Sequence, residues 1–584
     1  MHSRLTHRML TCGCITLIGL GACKSDTPLT PNNSLEPIPN PSGPVSVGDL
    51  VSLNVNGEDP CDRPVYHGAR VVAISSRAII MSDTLNPKNG FSTADFQRFA
   101  ARFDTLVYPL DVANFGEPLD IDKNGHIIIL FTRAVNELTP PRSNAYVGGF
   151  VFSRDLFPTT ATARAKACAG SNQGEYFYML APDPTGSVNG NVRTTGFVDT
   201  ATVPVLAHEF QHLINATRRL YVNNSPVFED KWLDEGLAHV AEELLFYHEA
   251  GVSPRANIDF NATRANNTIR LAFTTDMAGN NSRYRTYLGA PSKNSPYALD
   301  DSLATRGATW SFLRYAVDRL NATDGFTPGA GQTVTGAGDV VLTSGPSRGE
   351  YYVTLANTAL QSGASTTFNV SATPAVGSSS IPIADRFAPA TVRVAMDNDP
   401  SVLHRDESFE AGLRSRERAV LSPMMDAARS WYRSQAAPVS SAVRSQSAYA
   451  GTSFADADAA TWFRLANNTT AGFANLQSVV GTDLSGLIRD WLVSHAVDDL
   501  GALSTQYQDR SWNWHNIYSN IGSSGYPLPG LTITGAATYS GTIVAGGAAY
   551  ALVLLPANST TTLSLTAPAG TANPNLQMVV VRTK

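Results

Sequence analysis

Five consecutive residues, His208-Glu209-Phe210-Gln211-His212, set two metal-ligating side chains around a carboxylate. On a helix, residues four apart share a face, so both imidazoles can converge on one ion. Neutral imidazole nitrogen suits tetrahedral Zn2+. Glu209 lies one step round the helix, close enough to accept a proton from an attacking water without ligating the metal. Metal-assisted hydrolysis is the chemistry such a set can perform. The bland reading is two surface or capping histidines flanking a salt-bridged glutamate.

A catalytic zinc site needs three protein ligands and one open position. The segment Trp232-Leu233-Asp234-Glu235-Gly236-Leu237-Ala238-His239-Val240-Ala241-Glu242 offers the third in Glu235. Trp232, Leu233, Leu237, Val240, Ala241 and Leu244 make an apolar stripe at helical spacing, so this segment reads as a second helix packed across the first. Glu235, His239 and Glu242 fall on one face. His239 and Glu242 can therefore orient the ligands or stabilise a developing oxyanion.

The elements that must position these residues are two helices at about 200–219 and 230–248, and a third near 302–320. For the first, Asp199 and Thr200 offer N-caps and Pro204 is tolerable in the first turn. Upstream, short β-type runs appear at 50–55 and 69–74, then Ile127–Thr132, Tyr146–Phe152 and Glu175–Leu180. Strands followed by helices predict an α+β fold. Composition turns Gly/Ser/Thr-rich near Thr327. The predicted division is a catalytic region over 47–326 with an N-terminal β part, a β-rich and helical insertion over 327–452, and a helical end at 453–505. A C-terminal accessory β-sandwich domain follows at 506–584.

The chain of 584 residues is 43% hydrophobic but only 16% charged, with a net charge of −6. No basic run stands out, so nucleic acid is excluded as an expected partner. Arg4, His7 and Arg8 precede an apolar stretch from Met9 to Ala22, too short for a permanent membrane span. Its end, Leu20-Gly21-Ala22-Cys23, resembles the lipobox of bacterial lipoproteins. That resemblance implies a signal peptide over 1–22, cleavage before Cys23 and acylation of its thiol; the alternative is an ordinary signal peptide and a secreted or periplasmic protein. Lys24 after the cysteine leans the reading towards the outer membrane or cell surface. Residues 23–46 then form a lipidated, proline-rich tether of about 50 Å. Of five cysteines, only Cys61 and Cys168 remain in a mature chain free of lipid. An oxidising compartment predicts one disulfide between them, two buried thiols being the alternative.

HExxH followed by a helix reading W-L-x-E-G resembles the gluzincin arrangement shared in outline by aminopeptidase N and thermolysin. HEFQHLIN and WLDEGLAHVAEE together resemble more closely the hyicolysin family of secreted bacterial metallopeptidases. The similarity extends loosely to DIDKNGHIIILFT, EYFYMLAPDP, RGATWSFLRYAVDRL and GTDLSGLIRDWL. It implies a zincin-like catalytic domain with mixed sheet and helical subdomain, in which His208, His212 and Glu235 bind zinc and Glu209 is the base. The aminopeptidase N oxyanion donor is a tyrosine three residues before a helical glycine. Here Gly307 has Ala304 in that place, leaving His239, Tyr297 and Arg306 as candidates. The strand Glu175–Leu180 is the expected edge for an extended substrate. Absence of the GxMEN signature favours endopeptidase action on extracellular proteins, by a monomer.

Asp120-Ile121-Asp122-Lys123-Asn124-Gly125 resembles the first half of a calcium loop, making Ca2+ a second candidate cofactor. Phe131 occupies the position of the expected bidentate acid, and a plain Asp/Asn/Gly turn explains the segment equally well. The rival to an enzyme is a surface adhesin lipoprotein on a zincin scaffold that no longer turns over.

Overall fold

The computed structural model describes residues 45–57, 61–143, 145–161, 167–322, 331–373, 402–403, 425–430, 452–498, 505–521, 525–531, 533, 538–567 and 573–583. The signal segment, Cys23 and the tether up to residue 44 lie outside them. Among the described residues no helix is long and apolar enough to cross a membrane. The fold is mixed α/β. Its first sheet contains β1 (Leu50–Asn54), β2 (Tyr66–Ile74), β3 (Ala78–Asp83), β4 (Ile127–Thr132), β6 (Gly149–Phe150) and β7 (Tyr176–Leu180), in the order β1-β2-β3-β4-β7-β6. A short strand β5 (Tyr146–Val147) pairs with residues 402–403.

Strands β3, β4 and β7 are parallel, and β6 runs antiparallel to β7. The run IIILFT in β4 and YFYML in β7 are buried at every position. Apolar residues on both faces mark interior strands covered on both sides. One cover is the crossover from β3 to β4 through α1 (Thr93–Arg102) and α2 (Tyr108–Phe115), where Phe96, Phe99 and Phe91 pack edge-on or stacked with Phe131. The burial of β7 overturns its expected place as the edge. The terminal strand is β6, a two-residue piece of the predicted run Tyr146–Phe152.

Helix α4 spans Thr195–Thr217, starting five residues before the expected position. Thr194 caps it, its side chain accepting from the Phe197 N–H, so Asp199 and Thr200 are not caps and Pro204 lies inside the helix. Helix α5 (Lys231–Ala250) packs on α4 and ends at Gly251, whose φ of 65° is the left-handed stop expected of glycine. Helix α8 (Leu303–Asn321) packs on α5. The contact passes over Gly236: a Cβ there would lie 2.5 Å from Thr309 Cγ2 and 2.7 Å from Leu313 Cδ1. The glycine of the WLDEG motif thus sets how closely α8 backs the helix carrying Glu235.

Behind that contact the fully buried Arg314 reaches Glu243 at 2.8 Å, Asp458 at 3.0 Å and Asp318 at 3.5 Å. Trp512 Nε1 donates to Glu243 at 2.7 Å. Residues 452–498 and 505–521 are thereby bound into the helical half. Trp462, Trp491 and Trp512 are fully buried, and Trp514 packs against Trp512. Removing one partner from such a buried ionic cluster strands the others in a low-dielectric core, at a cost of about 3–5 kcal/mol.

The remaining strands form two facing sheets. One has five strands, from 332–336, 349–357, 530–531, 548–555 and 573–582; the other has four, from 338–343, 365–373, 539–544 and 560–566. Segment 349–357 pairs with 548–555 on one side and 573–582 on the other. Strands assigned from sequence to an insertion and to an accessory domain therefore hydrogen-bond to each other across about 200 residues of chain. Residues 506–521 join the helical core instead. Cys61 and Cys168, with Cα atoms 4.9 Å apart, form a disulfide.

Candidate metal centre

Helix α4 presents His208 and His212, and α5 presents Glu235 from its first turns; all three are buried. The two Nε2 atoms lie 3.1 Å apart, and Glu235 Oε2 lies 3.5 Å from His208 Nε2 and 4.0 Å from His212 Nε2. Each imidazole turns its other nitrogen to a carboxylate: His208 Nδ1 to Glu242 Oε1 and His212 Nδ1 to Asp234 Oδ2, both at 2.9 Å. A carboxylate at Nδ1 keeps the proton of a neutral ring there, leaving a lone pair on Nε2. Two such lone pairs and a carboxylate oxygen at these separations repel unless a cation lies among them. Two imidazoles and one carboxylate are also the donor set of a tetrahedral zinc site with an open position. The residues present fit a zinc ion.

Glu235 is itself held from behind. Arg306 Nη2 lies 2.6 Å from Glu235 Oε1 and 2.7 Å from Asp301, which also pairs with Lys231 at 2.8 Å. Burial pushes the Glu235 carboxyl up to about 7, against the downward pull of Arg306. Burial likewise raises Glu242 to about 8, opposed by Arg283, whose Nη1 is 3.6 Å away. A cation between the ligands favours the ionised carboxylate.

Glu209 is fully buried beside His208 on α4. His239 is also fully buried, with its ring centroid 4.6 Å from that of His208 and its Nδ1 3.3 Å from Glu242 Oε2. His208, His239 and Glu242 thus make a second close donor group against the first. Of the three oxyanion candidates, His239 and Arg306 reach the cluster. The Tyr297 hydroxyl is engaged elsewhere, donating to the Ala359 carbonyl at 2.9 Å. A narrow crevice beside His212 is lined by Val151, Ser153, Asn215 and Asp234, so the chain continuing from β6 borders the cluster.

Sequence reasoning passed over Asp234, Asp301 and Arg283, and gave Arg306 a different role. Asp234 carried a signal, being the acid directly before the candidate ligand; the other two carried none. The Asp234→Asn variant is expected to bind zinc about 10–100-fold more weakly with unchanged helix content. Competition against a chelating dye, with circular dichroism as control, checks this.

No protein-family model matches the chain. Over 223 residues, or 37% of its length, the chain is 27% identical to the neutral metalloprotease ShpI of Staphylococcus hyicus. It spans about half of that protein, 47% of its length. The chain that buries this donor set is thus a distant homologue of a neutral metalloprotease.

Proposed function

We propose that the chain is a zinc-dependent metalloendopeptidase of hyicolysin-like, gluzincin type, with a zincin-like catalytic domain. The observation that carries the reading is the pair of Nε2 atoms 3.1 Å apart, each ring held by a carboxylate at Nδ1 and faced by Glu235. His208, His212 and Glu235 would hold the ion. Bound zinc lowers the pKa of water and polarises a scissile carbonyl. Glu209 takes the proton of the attacking water and delivers it to the leaving amine nitrogen. Arg306 pulls against the burial of Glu235, favouring its ionised form, and aims it at the two histidines. Among the described residues no strand pairs with the outer side of β6, and substrate lies extended there, beyond Gly149–Phe150, in place of the interior β7. His239 or Arg306 donates a hydrogen bond to the developing oxyanion. The signal peptide, the lipid at Cys23 and the tether place the enzyme on the outer membrane or cell surface as a monomer acting on extracellular proteins.

Zinc-loaded protein incubated with casein should release internal fragments, seen by mass spectrometry as new ends on both sides of each cut. A zinc chelator should stop the release and added zinc restore it. Intact casein after prolonged incubation with the zinc-loaded protein would instead favour a binding protein on this scaffold.

A further inference from the structure

We propose that Asp120, Asp122 and Glu175 form a calcium site pinning the loop before β4 to the start of β7. Oxygens from the three carboxylates lie within 4.8 Å of one another. Asp120 and Asp122 precede β4, whereas Glu175 immediately precedes β7, and the Ile128 N–H donates to the Glu175 carbonyl at 2.8 Å. The three groups therefore meet at the shared N-terminal end of two neighbouring parallel strands.

Acidic residues cluster on many surfaces without a ligand, but Glu175 is not a surface residue. It is 1% exposed. Its Oε1 accepts from the Ile121 N–H at 2.6 Å, while its buried Oε2 accepts no hydrogen bond from the described residues. A buried carboxylate oxygen with no donor is costly unless a cation or a proton meets it. The charges of Asp122 and Asp120 add to burial in raising the Glu175 pKa, so the protein's own groups oppose its ionisation and a divalent cation would reverse that. Gly174 makes the approach possible: a Cβ there would come within 2.9 Å of Asp122 Oδ2.

The chemistry of the donors selects the ion. All are hard oxygens, with no imidazole or thiolate, which disfavours zinc and suits calcium or magnesium. A loop supplying carboxylates, with water completing six to eight ligands, suits the looser geometry of calcium. The acid missing from the local loop motif, where Phe131 is committed to the aromatic core, is replaced by one that arrives 55 residues after Asp120 (175 − 120). This site is independent of the zinc reading.

Full-length, zinc-loaded protein should be freed of calcium on a chelating resin, with retained zinc verified by elemental analysis. Equilibrium dialysis with radioactive Ca2+ should then show one ion per chain at sub-millimolar affinity, and saturation should raise Tm by about 2–5 °C. Glu175→Gln and Asp120→Asn should each weaken calcium binding at least about tenfold while zinc content stays the same. Glu175→Gln should also melt no lower than the wild type in calcium-free buffer, because the neutral amide replaces a carboxyl whose ionisation burial and the two aspartates oppose. Asp120 is exposed, so Asp120→Asn decides the matter should the other variant fail to fold. No saturable binding up to 10 mM Ca2+ (about tenfold above the weakest extracellular sites), binding unchanged in Asp120→Asn, or equal preference for Mg2+ would each overturn the assignment.

Discussion

Glu209→Gln is expected to lower kcat about 10^3–10^4-fold while leaving KM, zinc content and fold unchanged. Glutamine keeps the size and helix preference of glutamate, so α4 and the positions of His208 and His212 survive. What disappears is the group proposed to take a proton from the attacking water. Glu209 is fully buried, and the uncharged amide removes a desolvation cost, so Tm should equal or exceed that of the wild type. Single-turnover cleavage of casein beside elemental analysis separates this from a metal-binding defect. A variant that loses zinc with activity would place Glu209 among the ligands; one that keeps full activity would remove it from catalysis.

The parts of the site legible in the sequence were those fixed by local helical geometry. His208 and His212 share a face because they lie four apart, and Glu235 was readable as an acid opening a second apolar-striped helix. Of the two carboxylates on the histidines, Glu242 was legible from sharing the Glu235 face, whereas Asp234 was harder to see. Glu242 and Asp234 reach His208 and His212 across 34 and 22 residues. That match depends on how α4 and α5 cross, which a periodicity does not encode. Tyr297 illustrates the same limit, since its hydroxyl is taken by the carbonyl of Ala359, a partner 62 residues away.

The fold divides along the same line. Apolar runs such as Ile127–Thr132 and Tyr176–Leu180 announced strands, but strand neighbours are chosen by long-range pairing, so β7 was misread as an edge. Thr194 was passed over as a cap because Asp199 and Thr200 stood nearer the apolar run and Pro204 suggested a first turn. The sandwich was the least visible feature. Its strands read well individually, yet 349–357 finds its partners near the C-terminus. Arg314 looked like one polar residue in a helix, and only the packed structure gathers Glu243, Asp318 and Asp458 around it.

The choice of third ligand carries the largest consequence for metal binding. Glu235 faces both Nε2 atoms, whereas His239 stands on the Nδ1 side of His208, sharing Glu242 with it. Elemental analysis of dialysed wild type, Glu235→Ala and His239→Ala therefore tests the account most directly. One zinc per chain is expected in the wild type and in His239→Ala, with only part of the rate lost in the latter. Glu235→Ala should lose its zinc on dialysis. If Glu235→Ala keeps the metal and His239→Ala loses it, then His208, His239 and Glu242 hold the ion and the assignment made here is contradicted.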